Sequence, residues 1–362
     1  MKTRNKWIRI LASVFFACCC AIGVLQVKAK DTKPVMAETT PSITIESRTL
    51  SYSDSIYILY AVSNDGFDRD QNEIQMLFWN EEQTEYVLGK EDYTASVRTT
   101  ATVKGKSCLI FYSNGIAAKD MKDNIYCRAY AMVDGEPCYS EVVEYSVEKY
   151  VEKIRAQGAT EKEEALFDAM LKYGEAAQVV LEGNKAKSVN AANKTASQAE
   201  TMPSLAIESR TLSYSDSIYI LYAVSNDGFD RNQNEIKMLF WDKQQDEYVL
   251  GSESYSVSKR TSATVKGKNC LIFYSAGIAA KEMTENVYSR AYAEINGEIY
   301  YSEVVKYSVL EYASRIREQG ATAAEENLFA AMLNYGAAAQ NLFNYKTDRL
   351  ANATYYKVSV EN

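Results

Sequence analysis

The chain has 362 residues, 47% apolar and 12% aromatic, with four prolines and 40 basic against 48 acidic side chains, the make-up of a folded soluble protein. It contains no histidine, which excludes His-based triads, Cys-His dyads, His-ligated metals and imidazole pH switches.

At the N-terminus Lys2, Arg4, Lys6, Arg9 and Lys28 bracket an uncharged stretch from Ile10 to Val27, and Val27-Lys28-Ala29 offers a small-residue cleavage site. Residues 1–29 therefore read as an export signal, with an uncleaved signal-anchor as the rival. Cys18-Cys19-Cys20 lies in the middle of the apolar run, which speaks against a lipoprotein signal. Removal of residues 1–29, with five basic and no acidic side chains, moves the net charge from −8 to −13. A surface so acidic repels nucleic acid and anionic lipid, so membrane attachment is expected only through an uncleaved N-terminal segment. The localisation expected is secreted, extracellular or cell surface.

After a linker at 30–40, the segment opening at Pro41 recurs without a gap at Pro203, with roughly 70% identity over about 140 residues. Residues 41–183 and 203–345 are two copies of one unit. Between them 184–202 lacks aromatics and apolar periodicity, as a flexible tether of about 25 Å root-mean-square span would. Residues 346–362 form a C-terminal tail.

Within the first copy, runs rich in β-branched and aromatic residues (ITIES, SIYILYAV, EIQMLFW, TEYVL, TTATV, SCLIFYS, NIYCRAYAMV, EPCYSEVVEYSV) are separated by turn signals at Asp65-Gly66, Lys104-Gly105 and Asp134-Gly135. Seven or eight strands at this spacing predict an antiparallel sandwich over 41–146 and 203–308. The period then changes. Val147, Tyr150 and Ile154 recur at helical spacing, and Thr160-x-x-Glu163 opens a second helix carrying Leu166, Met170, Tyr173, Ala177 and Val180. Helical pairs are thus expected over 147–183 and 309–345. Tyr57 to Tyr60 and Met76 to Trp79 are apolar on both faces of their strands, so a second covering layer is required. The helical pair is the available lid, and Gly174, Ala176 and Ala177 allow it close approach.

Four cysteines follow the export segment: Cys108, Cys127, Cys138 and Cys270. They fit no zinc spacing. With a tight turn at Asp134-Gly135, Cys138 faces Ala131, beyond bridging range of Cys127, so buried thiols are expected.

The run Tyr126-x-Arg128-x-Tyr130, a Gly-containing turn and Tyr139-Ser140-Glu141 resembles the last two strands of a fibronectin type III or related Ig-like domain, with Tyr126 and Tyr288 at a tyrosine-corner position. IFYSAGIAAKEM, VYSRAY and AMLNYGAAAQNLFNYKTDRLAN resemble a poorly characterised tandem module in exported proteins of anaerobic Gram-positive gut bacteria. That resemblance implies an extracellular accessory role and carries no catalytic residues. The fold expected is α+β: two tandem antiparallel Ig-like β-sandwiches, each followed by an αα-hairpin packed on the sheet.

The most chemically loaded segments run from Asn64 to Glu73 and from Asn226 to Glu235. Oxygen ligands at alternate positions make Asp65, Asp68, Asp70, Asp227 and Asp230 calcium candidates. Against this, Glu73 stands where an EF-hand needs glycine, and Asp70 becomes Asn232 in the second copy, which favours a solvated loop. Phe67 and Phe229 lie among polar neighbours, where an exposed ring stacks on a sugar or enters a partner, or else folds back onto the core. Trp79 and Trp241 close a strand, as stacking platforms or, by the sandwich precedent, as core. The 28 tyrosines fall mostly within strands, where cross-strand pairs stabilise sheets.

No pair of carboxylates suggests a hydrolase, no catalytic residue stands out and no cofactor is expected. The reading is a non-enzymatic, bivalent binding or adhesion module for a polyvalent extracellular glycan or cell-surface protein. A structural spacer or self-associating surface protein is the alternative, and a polysaccharide- or peptidoglycan-acting enzyme a distant third.

Overall fold

A computed structural model describes residues 40–52, 56–79, 93–95, 99–113, 115–184, 202–213, 218–241, 255–258 and 261–354. The export segment, nearly all of both linkers, the expected TEYVL strand and residues 355–362 lie outside them. Among the described residues the protein is α+β, with four antiparallel sheets and four α-helices.

The first copy contains β1 (Ser42–Ser51), β2 (Tyr57–Asp65), β3 (Gln75–Trp79), β4 (Tyr93–Ala95), β5 (Thr99–Val103), β6 (Lys106–Tyr112), β7 (Ile125–Val133), β8 (Glu136–Tyr139) and β9 (Val143–Tyr145), then α1 (Val147–Gln157) and α2 (Glu161–Asn184). One sheet has the order β1-β2-β6-β5 and the other β4-β3-β7-β8, with β9 also paired to β7. The second copy repeats this as β10 (Ser204–Ser213), β11 (Tyr219–Asp227), β12 (Ile236–Trp241), β13 (Tyr255–Ser258), β14 (Thr261–Val265), β15 (Lys268–Tyr274), β16 (Val287–Ile295), β17 (Glu298–Tyr301), β18 (Val305–Tyr307), α3 (Val309–Glu318) and α4 (Ala323–Leu342).

Local chemistry accounts for these boundaries. Asp134 and Gly135 adopt φ of +51° and +85°, the left-handed pair that closes a two-residue hairpin with the twist of its strands. That hairpin sets Ala131 opposite Cys138, and all four described cysteines are free thiols. The expected single strand EPCYSEVVEYSV is broken at Ser140, whose hydroxyl accepts from the Ala129 amide at 2.9 Å and whose own amide donates to the Ala129 carbonyl. Ser146 caps α1 and Gly158 ends it at φ +94°; Thr160 and Glu163 then form the reciprocal cap that starts α2.

One feature invisible in the pattern is a bulge in the first strand of each copy. The β1–β2 register shifts between Ile45 and Ser47, leaving Glu46 without an opposite residue, and β10–β11 repeats this at Glu208. Glu46 Oε1 accepts from Lys106 Nζ at 2.6 Å and Ser63 Oγ at 2.7 Å.

The core differs from expectation in where the helices go. Ile58, Tyr60, Val62, Met76, Phe78 and Phe111 belong to one buried cluster with Leu166, Phe167, Met170 and Tyr173 of α2, so the helices extend the inner core. The opposite face of β2 and β6, carrying Leu59, Ala61, Cys108 and Ile110, forms a separate cluster with no helical residue. The expected lid over a second sheet face is therefore not what α1 and α2 supply. At Gly174 a Cβ would lie 2.9 Å from the Ala118 carbonyl, which marks how closely α2 is seated on the short 3₁₀ turn Ala118–Asp120.

The inner cluster is continuous through both copies. Helix α2 packs against α4, Tyr173 stacks on Tyr335, Tyr52 meets Phe343 at 6.0 Å, and Lys162 Nζ donates to the Asn341 carbonyl. Both copies lie within one compact unit. Among the described residues no helix is long and apolar enough to cross a membrane.

Candidate binding surface on the tyrosine-bearing sheets

Strand β7 alternates two chemistries. Cys127, Ala129, Ala131 and Val133 are buried, whereas Tyr126, Arg128 and Tyr130 are half-buried and Met132 is 46% exposed. Register assembles the outward set. Tyr126 faces Trp79 and Tyr130 faces Gln75 on β3, while Tyr130 faces Tyr139 and Met132 faces Pro137 on β8.

The rings are ordered by contact. Trp79 and Tyr126 stack at 6.3 Å with planes 20° apart, and Tyr130 and Tyr139 at 6.0 Å and 30°. The Arg128 guanidinium lies 4.1 Å from the Tyr139 ring centre and donates through Nη2 to the Ser140 carbonyl. Tyr130 donates its hydroxyl to Gln75 Oε1 at 3.0 Å.

The second copy reproduces the set. Trp241 stacks on Tyr288 at 6.1 Å, Tyr292 meets Tyr301 at 6.2 Å, and Arg290 lies 4.0 Å from the Tyr301 ring centre. Arg290 Nη2 again donates to a serine carbonyl, that of Ser302. Here Ile299 is the exposed apolar edge, at 40%. Tyr300 donates to Glu298, and this hydrogen bond to a carboxylate raises the phenol above its ordinary range. Flat rings with a fixed cation beside them suit a ligand that has an apolar face and oxygen acceptors at its rim.

The residues singled out from the sequence fall elsewhere or beneath this surface. Trp79 and Trp241 are each 3% exposed, so their indoles are floor rather than platform. Phe67 and Phe229 are half-buried and pack on the inner cluster, the fold-back alternative for those rings. Asp65, Asp68, Asp70, Asp227 and Asp230 are exposed, and among the described residues no three acidic or cysteine side chains gather into a cation cage. Asp68 is engaged in a turn: its Oδ1 accepts from the Asp70 amide at 2.9 Å and its carbonyl accepts from Asn72, and Asp230 repeats both contacts with Asn232 and Asn234. Tyr126 and Tyr288, expected at a corner position, lie ring to ring with the tryptophans.

Arg128, Tyr130 and Tyr139 were legible as a run but not as a surface. The usable signal was Tyr-x-Arg-x-Tyr followed across a hairpin by another tyrosine, a pattern that puts all four side chains on one face. No family model matches the chain, and no curated protein is similar to it in sequence.

Proposed function

We propose that the protein is an exported, non-enzymatic binding module that engages a polyvalent extracellular ligand, a glycan or a cell-surface protein, through the tyrosine–arginine faces of its two copies. In this reading each copy is an Ig-like sandwich with an αα-hairpin. The observation that carries the proposal is the duplicated set of Arg128 over Tyr139 and Arg290 over Tyr301, each beside a stacked Tyr–Trp pair. Rings already held by neighbours lose little freedom on meeting a ligand, and two such faces on one chain gain avidity from a repeating target.

The test is a glycan array and whole-cell pull-down with the full chain, with Tyr139→Ala, with Tyr301→Ala and with both. Bivalent use predicts that either single substitution removes most of the retention on a dense ligand array and that the pair abolishes it. Undiminished retention by the double variant would overturn the reading.

A second reading, self-association, is favoured by the exposed Met132 and Ile299 at the rims of these same faces. Sedimentation across a hundredfold concentration range separates the two: a rise in mass that Met132→Lys and Ile299→Lys suppress supports self-association.

A further inference from the structure

A second feature, independent of the tyrosine faces, lies at the bulge of the second copy. A cleft of about 490 Å³ opens between the β10 bulge, the turn at Lys266 and the outer side of α3; Ile207, Glu208, Arg210, Lys266, Arg315 and Gln319 border it. Its charges do not balance. Glu208 Oε1 already accepts from Lys268 Nζ at 2.6 Å and Ser225 Oγ at 2.7 Å. Lys266 Nζ is spent on the Glu208 carbonyl, a neutral acceptor.

Arg210 and Arg315 converge on one ring, their guanidinium carbons 5.2 Å and 5.3 Å from the centre of Tyr307. Arg315 donates Nη2 to the Arg210 carbonyl at 3.3 Å, and its Nε is buried with no hydrogen-bond acceptor. Among the described residues neither guanidinium is in an ion pair, although the chain carries a net charge of −8. Both arginines border the same cleft, so two permanent positive charges stand at its wall with no carboxylate among the described residues paired to neutralise them, and an anion entering the cleft would find both.

We propose that this cleft binds an acidic saccharide, with its carboxylate taken by the donor forks of Arg210 and Arg315 and its ring lying against Ile207. Planar guanidinium forks match a planar carboxylate. The cleft has room for a sugar ring as well as its carboxylate, its volume falling within the ordinary ligand-site range of roughly 300–1,000 Å³. Gln319 adds an amide at the rim for a sugar hydroxyl. The first copy carries Lys153 where the second has Arg315, so a second fork is special to the second copy.

The experiment is calorimetric titration of the full chain with digalacturonate, neutral lactose, sodium acetate and inorganic phosphate at low salt. Digalacturonate is expected to bind once per chain and to weaken as salt is raised, with no heat from lactose. Arg315→Lys, which installs the residue of the first copy, should weaken digalacturonate about tenfold by removing the fork while keeping the charge. Arg315→Met should abolish binding, and both variants should keep the wild-type thermal midpoint. Tyr139→Ala should leave this binding untouched, which keeps it distinguishable from the tyrosine faces. Equal affinity for lactose, for acetate or for phosphate, or full binding by Arg315→Lys and Arg315→Met, would overturn the proposal.

Discussion

Tyr173 and Tyr335 stack on each other at 5.9 Å with their planes 15° apart, and each is the other's counterpart in the internal repeat. The contact therefore has the character of a two-fold interface made within one chain: a surface of α2 meets the same surface of α4. Asymmetry has accumulated around it, as Lys162 donates to the Asn341 carbonyl where the counterparts are Ala324 and Val179.

Truncating this stack should cost the whole molecule. Tyr335 is fully enclosed, and burial pushes its phenol well above the ordinary range. Tyr335→Ala leaves a ring-sized void between α2 and α4, for which a loss of about 3–5 kcal/mol is expected. Denaturant unfolding followed separately by tryptophan fluorescence and by circular dichroism checks this. The wild type should give coincident transitions, and Tyr335→Ala an earlier midpoint.

The seat of α2 makes an equally definite case. In Gly174→Ala the added methyl would stand 2.9 Å from the Ala118 carbonyl oxygen and 3.3 Å from Met121 Sδ. The oxygen belongs to backbone, which cannot swing aside. Overpacking of about 1–3 kcal/mol should exceed the helix-propensity gain of about 1 kcal/mol from replacing glycine. A thermal midpoint at or above wild type for Gly174→Ala would show that the turn at Ala118 yields.

The repeat, the strand-rich and helical parts, the caps at Thr160 and Gly158 and the hairpin at Asp134-Gly135 could all be read from the amino acids, because each is a local pattern. Where the helices rest could not. Val147, Tyr150, Leu166 and Phe167 announce an apolar stripe but not its partner, and the partner is the inner core together with the other copy. The same limit applied to the candidate surface. Tyr139 acquires its role from a register that sets it beside Tyr130 and under Arg128, whereas Phe67 drew notice from its sequence neighbours and folds back on the inner cluster, and Trp79 lies buried beneath the tyrosine face. The bulge at Glu46 left no signal, because a residue without a cross-strand partner looks like any other position in an alternating strand.

That bulge carries a pH dependence. The Lys106 hydrogen bond, then that of Ser63, holds the Glu46 carboxyl below its usual range, and Lys268 and Ser225 do the same for Glu208. A carboxyl more acidic when folded than when unfolded contributes stability above the ordinary glutamate range, and that contribution disappears as pH falls through the lowered folded value. Wild-type thermal midpoints between pH 7 and pH 3 should therefore fall more steeply than those of Glu46→Gln/Glu208→Gln, with the two curves converging at the acid end. Parallel curves would show that the bulge carboxylates do not contribute.

The cysteines separate by burial. Desolvation pushes the Cys127 thiol up to about 12, and its side chain is sealed in the inner cluster. Cys138 is only half-buried, on the strand at the end of its sheet order, and burial raises it too. Because the thiolate is the reactive form, neither is a fast nucleophile, but access distinguishes them. Iodoacetamide at pH 8, read by peptide mass mapping, should label Cys138 first among the four described cysteines of the native chain. Cys108, Cys127 and Cys270, all buried, should label only as denaturant unfolds the protein. Label appearing on Cys127 as early as on Cys138 would mean that the sheet around β7, where Cys127 lies between Phe78 of β3 and Val143 of β9, opens without global unfolding. In that case Tyr130 and Tyr139 could not form the persistent surface on which ligand binding depends.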